Sequence, residues 1–98
     1  MIVVITGPAA ADLRSIGDYI GRESLEQAAK VVSGLRRTCA TLAEASLRFP
    51  LAPRLGEGVR RAARPPYVIF HRIRDDVVEV LRIIHAARDY EHLPLSDD

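Results

Sequence analysis

The stretch VLRIIHAARDYEH, residues 80–92, begins apolar and ends in His85, Arg88, Asp89, Tyr90 and His92. Ionisable and aromatic side chains crowded where a strand runs out can serve catalysis or recognition. Cleavage of RNA by general acid–base chemistry needs a base for the ribose 2′-hydroxyl proton and an acid for the leaving oxygen. It also needs cations for the charge that develops on phosphate. His85 or Tyr90 could move the protons, with Arg64, Arg82 and Arg88 as the clamp. The same groups could equally form a docking surface for a protein. Each also has a plain structural role open to it. A strand-end histidine packs or caps, Arg88 pairs with Asp89, and Tyr67, placed between Arg64-Pro65-Pro66 and a strand, suits a core edge.

Other chemistries are poorly served. His71, His85 and His92 have no metal-ligand spacing, and Cys39 is the single cysteine, so neither a metal nor another cofactor is expected. The segment TGPAAAD lacks the Lys-Ser/Thr of a phosphate loop, and no serine stands in a nucleophile-elbow context.

A chain of 98 residues predicts a single domain over residues 1–98. Such a chain buries only about two thirds of its unfolded surface, so the core is thin. A hydrophobic fraction of 48% argues against disorder. One cysteine permits no intramolecular disulfide and suits a reducing compartment. The opening MIVVITGPAAADL has no basic n-region, and no apolar run approaches the ~18–20 residues of a membrane span. A soluble cytoplasmic protein with no membrane partner is expected.

The net charge of +1 hides a strong asymmetry. Residues 1–47 are balanced. Residues 48–74 carry seven arginines (48, 54, 60, 61, 64, 72 and 74) against Glu57, for +6; residues 75–98 carry seven acids against Arg82 and Arg88, for −5. The basic block could attract phosphates or an acidic partner segment, or could be no more than a solvated face.

The elements that must position these groups follow from periodicity. MIVVIT predicts a first strand, ended by Gly7-Pro8, and Pro8 suits a helix start. Leu13, Ile16 and Ile20 recur at helical spacing up to Gly21. Ser24 and Gln27 suggest a capping box for a second helix with the stripe Val32, Leu35, Cys39 and Leu42, continued by Phe49. The two form an antiparallel hairpin. FPLAPRLGEG, with two prolines and two glycines, is a loop. Strands follow at 59–64, 66–73 and 77–85, with Asp75-Asp76 at the centre of the last turn. That turn pairs Arg72 with Glu79, Phe70 with Leu81 and Val68 with Ile83.

The expected fold is therefore α+β: a helical hairpin packed on a small, mostly antiparallel sheet, in the order β-α-α-β-β-β. In this register Val68, Phe70, Leu81 and Ile83 share one face. Tyr67, Ile69, Ile73, Val78, Val80 and Ile84 share the other. Two helices cover only one face. The second awaits the C-terminal tail, a partner or both, and if the helices take the Phe70 side, Arg82 points to the open one.

The ordered motifs AAADLRSIGDYI, FPLAPRLGEGVRR and PPYVIFHRIRDDVVEVLRIIHAARD together resemble the ParE branch of the RelE/ParE superfamily of bacterial type II toxins, over nearly the whole chain. The resemblance implies the same fold, and a toxin that poisons DNA gyrase, blocks replication and is neutralised in a hetero-oligomer by a ParD-like antitoxin. It implies no sequence-specific DNA binding by this chain. RelE-like relatives instead cleave mRNA on the ribosome, which makes an endoribonuclease using Arg64, Arg82, His85, Arg88 and Tyr90 the alternative. A non-toxic interaction domain is a third reading. YVIFHRI is apolar where a phosphate-binding surface would be wanted, and HAARD resembles the gyrase-directed branch more closely. On that reading Arg82, Arg88, Asp89 and Tyr90 recognise the target. An antitoxin segment folding onto the toxin would meet Arg54, Arg60, Arg61 and Arg64, with Tyr67, Ile69 and Ile84 as apolar contacts.

Overall fold

The computed structural model describes residues 1–89. Strand β1 (Ile2–Ile5) leads into helices α1 (Gly7–Gly21) and α2 (Leu25–Ala45). Strands β2 (Arg60–Arg64), β3 (Tyr67–Arg74) and β4 (Val77–His85) follow, then one turn of helix, α3 (Ala86–Asp89). The sheet runs β1-β4-β3-β2, with β1 parallel to β4 and the other pairs antiparallel. Because β1 lies beside the last strand, the chain must cross the sheet between them, and the helical hairpin makes that crossing. Each helix starts where the sequence supplies a cap. Thr6 Oγ1 accepts the Ala9 N–H at 3.4 Å, and Ser24 Oγ accepts the Gln27 N–H at 3.0 Å.

The β3–β4 hairpin turns through Asp75 and Asp76, both in the left-handed region with φ of 52° and 62°. A two-residue turn with positive φ at both positions matches the twist of its strands, and aspartate tolerates that conformation better than most residues. Arg72 faces Glu79 as expected, with Nε to Oε1 at 3.2 Å. The register then shifts between Phe70 and His71, so Phe70 pairs with Arg82 and Val68 with Ile84. The expected pairs Phe70–Leu81 and Val68–Ile83 do not form. Leu81 is the extra residue of a β-bulge, and a single extra residue exchanges the faces of everything beyond it.

The helices cover the Tyr67/Ile69 face of β3 and not the Phe70 face. Leu13, Ile16, Leu35, Cys39 and Leu42 pack on Tyr67, Ile69, Val78, Val80 and Ile83, and this is the main core. Ile83 sits here because of the bulge. The other face holds Val68, Phe70 and Ile84 under Ala52 and Val59, with Leu55 and Leu81 at its margin. No tail or partner is needed to cover it, because residues 50–59 fold back over it. Ala52 donates to the Val59 carbonyl at 2.7 Å and Arg61 to that of Pro50 at 3.0 Å, which fastens the loop along β2. Gly56 and Gly58, with φ of 138° and 75°, let the chain reverse where a side chain would be strained. Fully burying a side chain such as Phe70 or Ile84 contributes roughly 1.5–3 kcal/mol, which decides in favour of a covering loop over a solvated one.

His71 and its neighbour Ser46 are polar residues buried beside the main core. His71 is fully buried on β3, with Ser46 Oγ 2.8 Å from Nδ1 and the Phe49 ring edge-on at 5.6 Å. Nε2 has no hydrogen-bond partner among the described residues. Burial, then the nearby charge of Arg60, pushes the imidazole down to about 4 from its usual 6.5. The unfolded chain therefore binds a proton that the folded chain refuses. The corresponding stability is complete above pH 6.5 and is lost as pH falls to 4. At 1.36 kcal/mol per pKa unit this amounts to about 3 kcal/mol. Urea unfolding between pH 7 and pH 4 should show that loss, and His71→Gln should flatten the curve down to the onset of carboxylate protonation. A variant with an unchanged acid limb would remove His71 from this role.

Candidate functional site

β1 is four residues long and β4 nine, so β4 outruns its neighbour. Pairing ends with Ile5 opposite Val80, and the Thr6 N–H closes on the Val80 carbonyl at 3.1 Å. Past that point the chain turns away into α1, leaving one edge of β4 without a strand. Side chains satisfy it. Thr6 Oγ1 donates to the carbonyls of Val80 at 2.8 Å and Leu81 at 3.3 Å. Asp12, on α1, accepts the Ile83 N–H at Oδ2 over 2.8 Å. The same carboxylate takes Arg82 in a fork, Nε to Oδ2 at 2.7 Å and Nη2 to Oδ1 at 2.9 Å. The Asp12 side chain is 15% exposed and that of Arg82 40%. The hydrogen bond to Asp12 is the main reason that the guanidinium pKa is raised. Arg82, which would point to an open sheet face if the helices took the Phe70 side, is instead held against α1.

A groove of about 610 Å³ opens beside this bridge, between α1 and the end of β4. Asp12, Ser15 and Tyr19 line it from α1, and their spacing of three and then four residues keeps them on one face of the helix. Arg88 and Asp89 of α3 form its other lip. His85 Nδ1 accepts the Arg88 backbone N–H at 3.2 Å, so this histidine starts the final turn, and its ring meets Tyr67 edge-to-face at 5.6 Å. The Arg88 guanidinium lies over the Tyr19 ring, 4.8 Å from its centroid, and Arg22 approaches the same ring at 5.7 Å. Arg88 also approaches Asp89 at 3.8 Å. The structure thus brings Arg82, His85, Arg88 and Asp89 to one end of the sheet. Tyr19 and Arg22, which join them, were not singled out from the sequence; the i, i+3, i+7 placement of Asp12, Ser15 and Tyr19 was the available signal.

Arg64 lies two strands away from His85. Its Nη1 donates to Thr38 Oγ1 on α2 at 2.6 Å, and the guanidinium fits there because residue 34 is glycine, whose added Cβ would come within 2.9 Å of Nη2. Arg60 Nη1 donates to the Phe49 carbonyl at 2.7 Å, Arg54 lies in the covering loop, and Arg61 is exposed on β2. The apolar contacts expected for a partner are not at the surface. Tyr67 and Ile69 are buried beneath the helices, and Ile84 beneath the loop, with exposures of 8%, 0% and 3%. The bulge and the fold-back of residues 50–59 account for the difference. Tyr90 and His92 lie outside the described residues.

A helical hairpin crossing a four-stranded sheet, with the short first strand parallel to the last, is the architecture of the RelE/ParE toxins. The chain belongs to this group: residues 3–90 match the family described as ParE toxin of type II toxin-antitoxin system, parDE. It is 40% identical to Toxin RelE2 of Caulobacter vibrioides over 88 residues, covering 88% of this chain and 96% of that protein. It superposes with a TM-score of 0.74, at 28% identity, on a chain of the chromosomal ParDE toxin–antitoxin system of P. aeruginosa, covering 87% of this chain and 95% of that one. A chain of the toxin–antitoxin complex RelBE2 of Mycobacterium tuberculosis shares the fold, with a TM-score of 0.66 at 23% identity over 86% of this chain and 95% of the other.

The Asp12 bridge predicts an asymmetry. Asp12→Ala strands the Ile83 N–H together with a partly buried guanidinium, and should cost about 3 kcal/mol of stability. Arg82→Ala leaves Asp12 still bonded to the Ile83 N–H and removes a more exposed partner, so about 1 kcal/mol is expected. Denaturant midpoints of the two variants check this, and an Arg82→Ala loss equal to or above that of Asp12→Ala would contradict it.

Proposed function

We propose that this toxin acts in the cytoplasm by binding DNA gyrase and stopping replication, not by cutting RNA, and that a ParD-like antitoxin neutralises it in a hetero-oligomer. One observation carries the preference for binding over cleavage. Arg82 is neutralised by Asp12, Arg64 is docked on Thr38, and the His85 Nδ1 lone pair holds the start of α3. Two of the three clamp arginines, Arg82 and Arg64, would have to exchange these partners before holding a phosphodiester. Arg88 and Asp89, at the exposed lip of the groove, are left as the target contacts. The antitoxin is supported by the similarity to a chain from a ParDE system. With Tyr67, Ile69 and Ile84 buried, the basic block around Arg61 is its proposed contact.

The competing reading, cleavage of mRNA on the ribosome, is favoured by the RelE name of the Caulobacter relative. The two part cleanly in one experiment. Expression without antitoxin should induce the DNA-damage response and halt DNA synthesis while transcripts stay intact, and the purified protein should inhibit supercoiling by gyrase. Site-specific mRNA cleavage in translating ribosomes, with gyrase unaffected, would reverse the assignment. Charge complementarity acts chiefly on encounter rates, so Arg61→Glu should slow antitoxin association at low salt more than it speeds dissociation. Unchanged association kinetics would take the basic block out of the interface.

A further inference from the structure

We infer that Tyr19 is a positioning residue for target recognition, holding the Arg88 guanidinium at the mouth of the groove; this rests on the proposed role of Arg88 as a target contact. Tyr19 is 56% exposed near the end of α1, so burial does not explain an aromatic there. Its ring serves as a platform. Arg88 Cζ stands 4.8 Å from the centroid and Arg22 Cζ 5.7 Å, both within the range in which a cation is drawn to an aromatic face. The Asp89 carboxylate stands 3.8 Å from Nη2, too far for a hydrogen bond, and belongs to a side chain itself exposed to nearly half. It therefore holds the Arg88 side chain only loosely. α3 itself is a single turn, tied down by the His85 cap and by the Ala86 N–H on the Pro66 carbonyl at 2.9 Å. Those bonds fix the backbone of Arg88 but not its long side chain.

An arginine that must order its side chain on docking loses affinity for that reason, and a contact that orders it beforehand restores the loss. Tyr19 provides such a contact across the groove. It is placed to do so because Asp12, seven residues earlier on the same helix face, docks α1 against β4. The Tyr19 ring face is what acts, so the hydroxyl is dispensable and an apolar side chain without a π-face is not an adequate substitute.

The test measures the inducer dose for half-maximal growth arrest, and the melting temperature, in the full chain carrying Tyr19→Phe, Tyr19→Trp, Tyr19→Leu, Arg88→Ala and the double variant Tyr19→Leu/Arg88→Ala. Tyr19→Phe should match the parent, and Tyr19→Trp should match or exceed it. Tyr19→Leu should lose about two- to fivefold in potency, the range of an exposed cation–π contact. Arg88→Ala should lose more, and the double variant should be no weaker than Arg88→Ala alone. An equal loss in Tyr19→Phe and Tyr19→Leu would show a hydroxyl contact and overturn the inference, as would additive losses in the double variant. If Arg88→Ala impairs toxicity while Tyr19→Leu at an unchanged melting temperature does not, the inference falls and the role of Arg88 stands. Full toxicity of Arg88→Ala would remove that role and the inference with it. Should Tyr19→Leu melt early, the Phe and Trp variants still decide, because potency below the parent in both contradicts a platform made by the ring.

Discussion

The structure turns on a mismatch of length: a strand of four residues cannot cover one edge of a strand of nine. A backbone edge left bare beneath a helix would hold unpaired N–H and C=O groups at a cost of about 1–3 kcal/mol each. One hydroxyl, that of Thr6, and one carboxylate, that of Asp12, resolve it. Asp12 takes the Ile83 N–H that a longer β1 would have taken, and draws in Arg82 to balance its own charge. Thr6 joins the two arrangements, capping α1 with the same hydroxyl that donates to β4. The place where β1 stops thus fixes where α1 begins, how it lies on the sheet and which groups its outward face delivers to the groove.

The bulge at Leu81 belongs to the same junction. Up to Val80 the strand has a neighbour on each side and keeps the register set by the Asp75-Asp76 turn. Beyond Val80 it has β3 alone, and here one residue is inserted. The insertion sends Ile83 into the helix-side core and Ile84 to the opposite one. Without it, Ile83 would face the loop and Ile84 would face the helices. Both are apolar and β-branched, so either arrangement satisfies binary patterning, and the choice lies in backbone geometry, not in side-chain type.

That ambiguity marks the limit of what could be read from the chain. Element order, the Ser24 cap of α2, the hairpin turn and the Arg72–Glu79 pair were legible because each depends on a local signal: a capping serine, a stripe at helical spacing, an acidic dipeptide between two apolar runs. The faces beyond residue 80 were not legible, because alternation carries no sign of an inserted residue. The cover over Phe70 was not legible either. A segment rich in proline and glycine reads as a connection, yet Ala52, Leu55 and Val59 make it a lid on the second face. The place of Arg82 was not legible for a related reason: its partner Asp12 lies seventy residues away, and only the tertiary fold joins them. At the site, Arg88 and Asp89 were legible as charges after a strand, whereas the aromatic surface beneath Arg88 comes from another element.

These placements separate the charged residues by what they do. Arg82, Arg64, Arg60 and Arg72 each have a specific partner, respectively Asp12, Thr38, the Phe49 carbonyl and Glu79, and so belong to the cohesion of the sheet with its surroundings. Charge counting assigns Arg60, Arg64 and Arg72 to one basic block, but a guanidinium already bonded within the fold has less to offer a partner than one that is not. The Arg88 guanidinium differs in kind. An exposed ring and a neighbouring carboxylate hold it, and neither takes it out of water. A protein whose task is to bind another needs such groups, ordered but not desolvated, because the desolvation is then met once, at the interface, where the new contacts offset it. The end of the sheet where β1 stops supplies that condition, since α1 docks firmly enough on Asp12 to carry a platform and α3 is too short to bury what rests upon it.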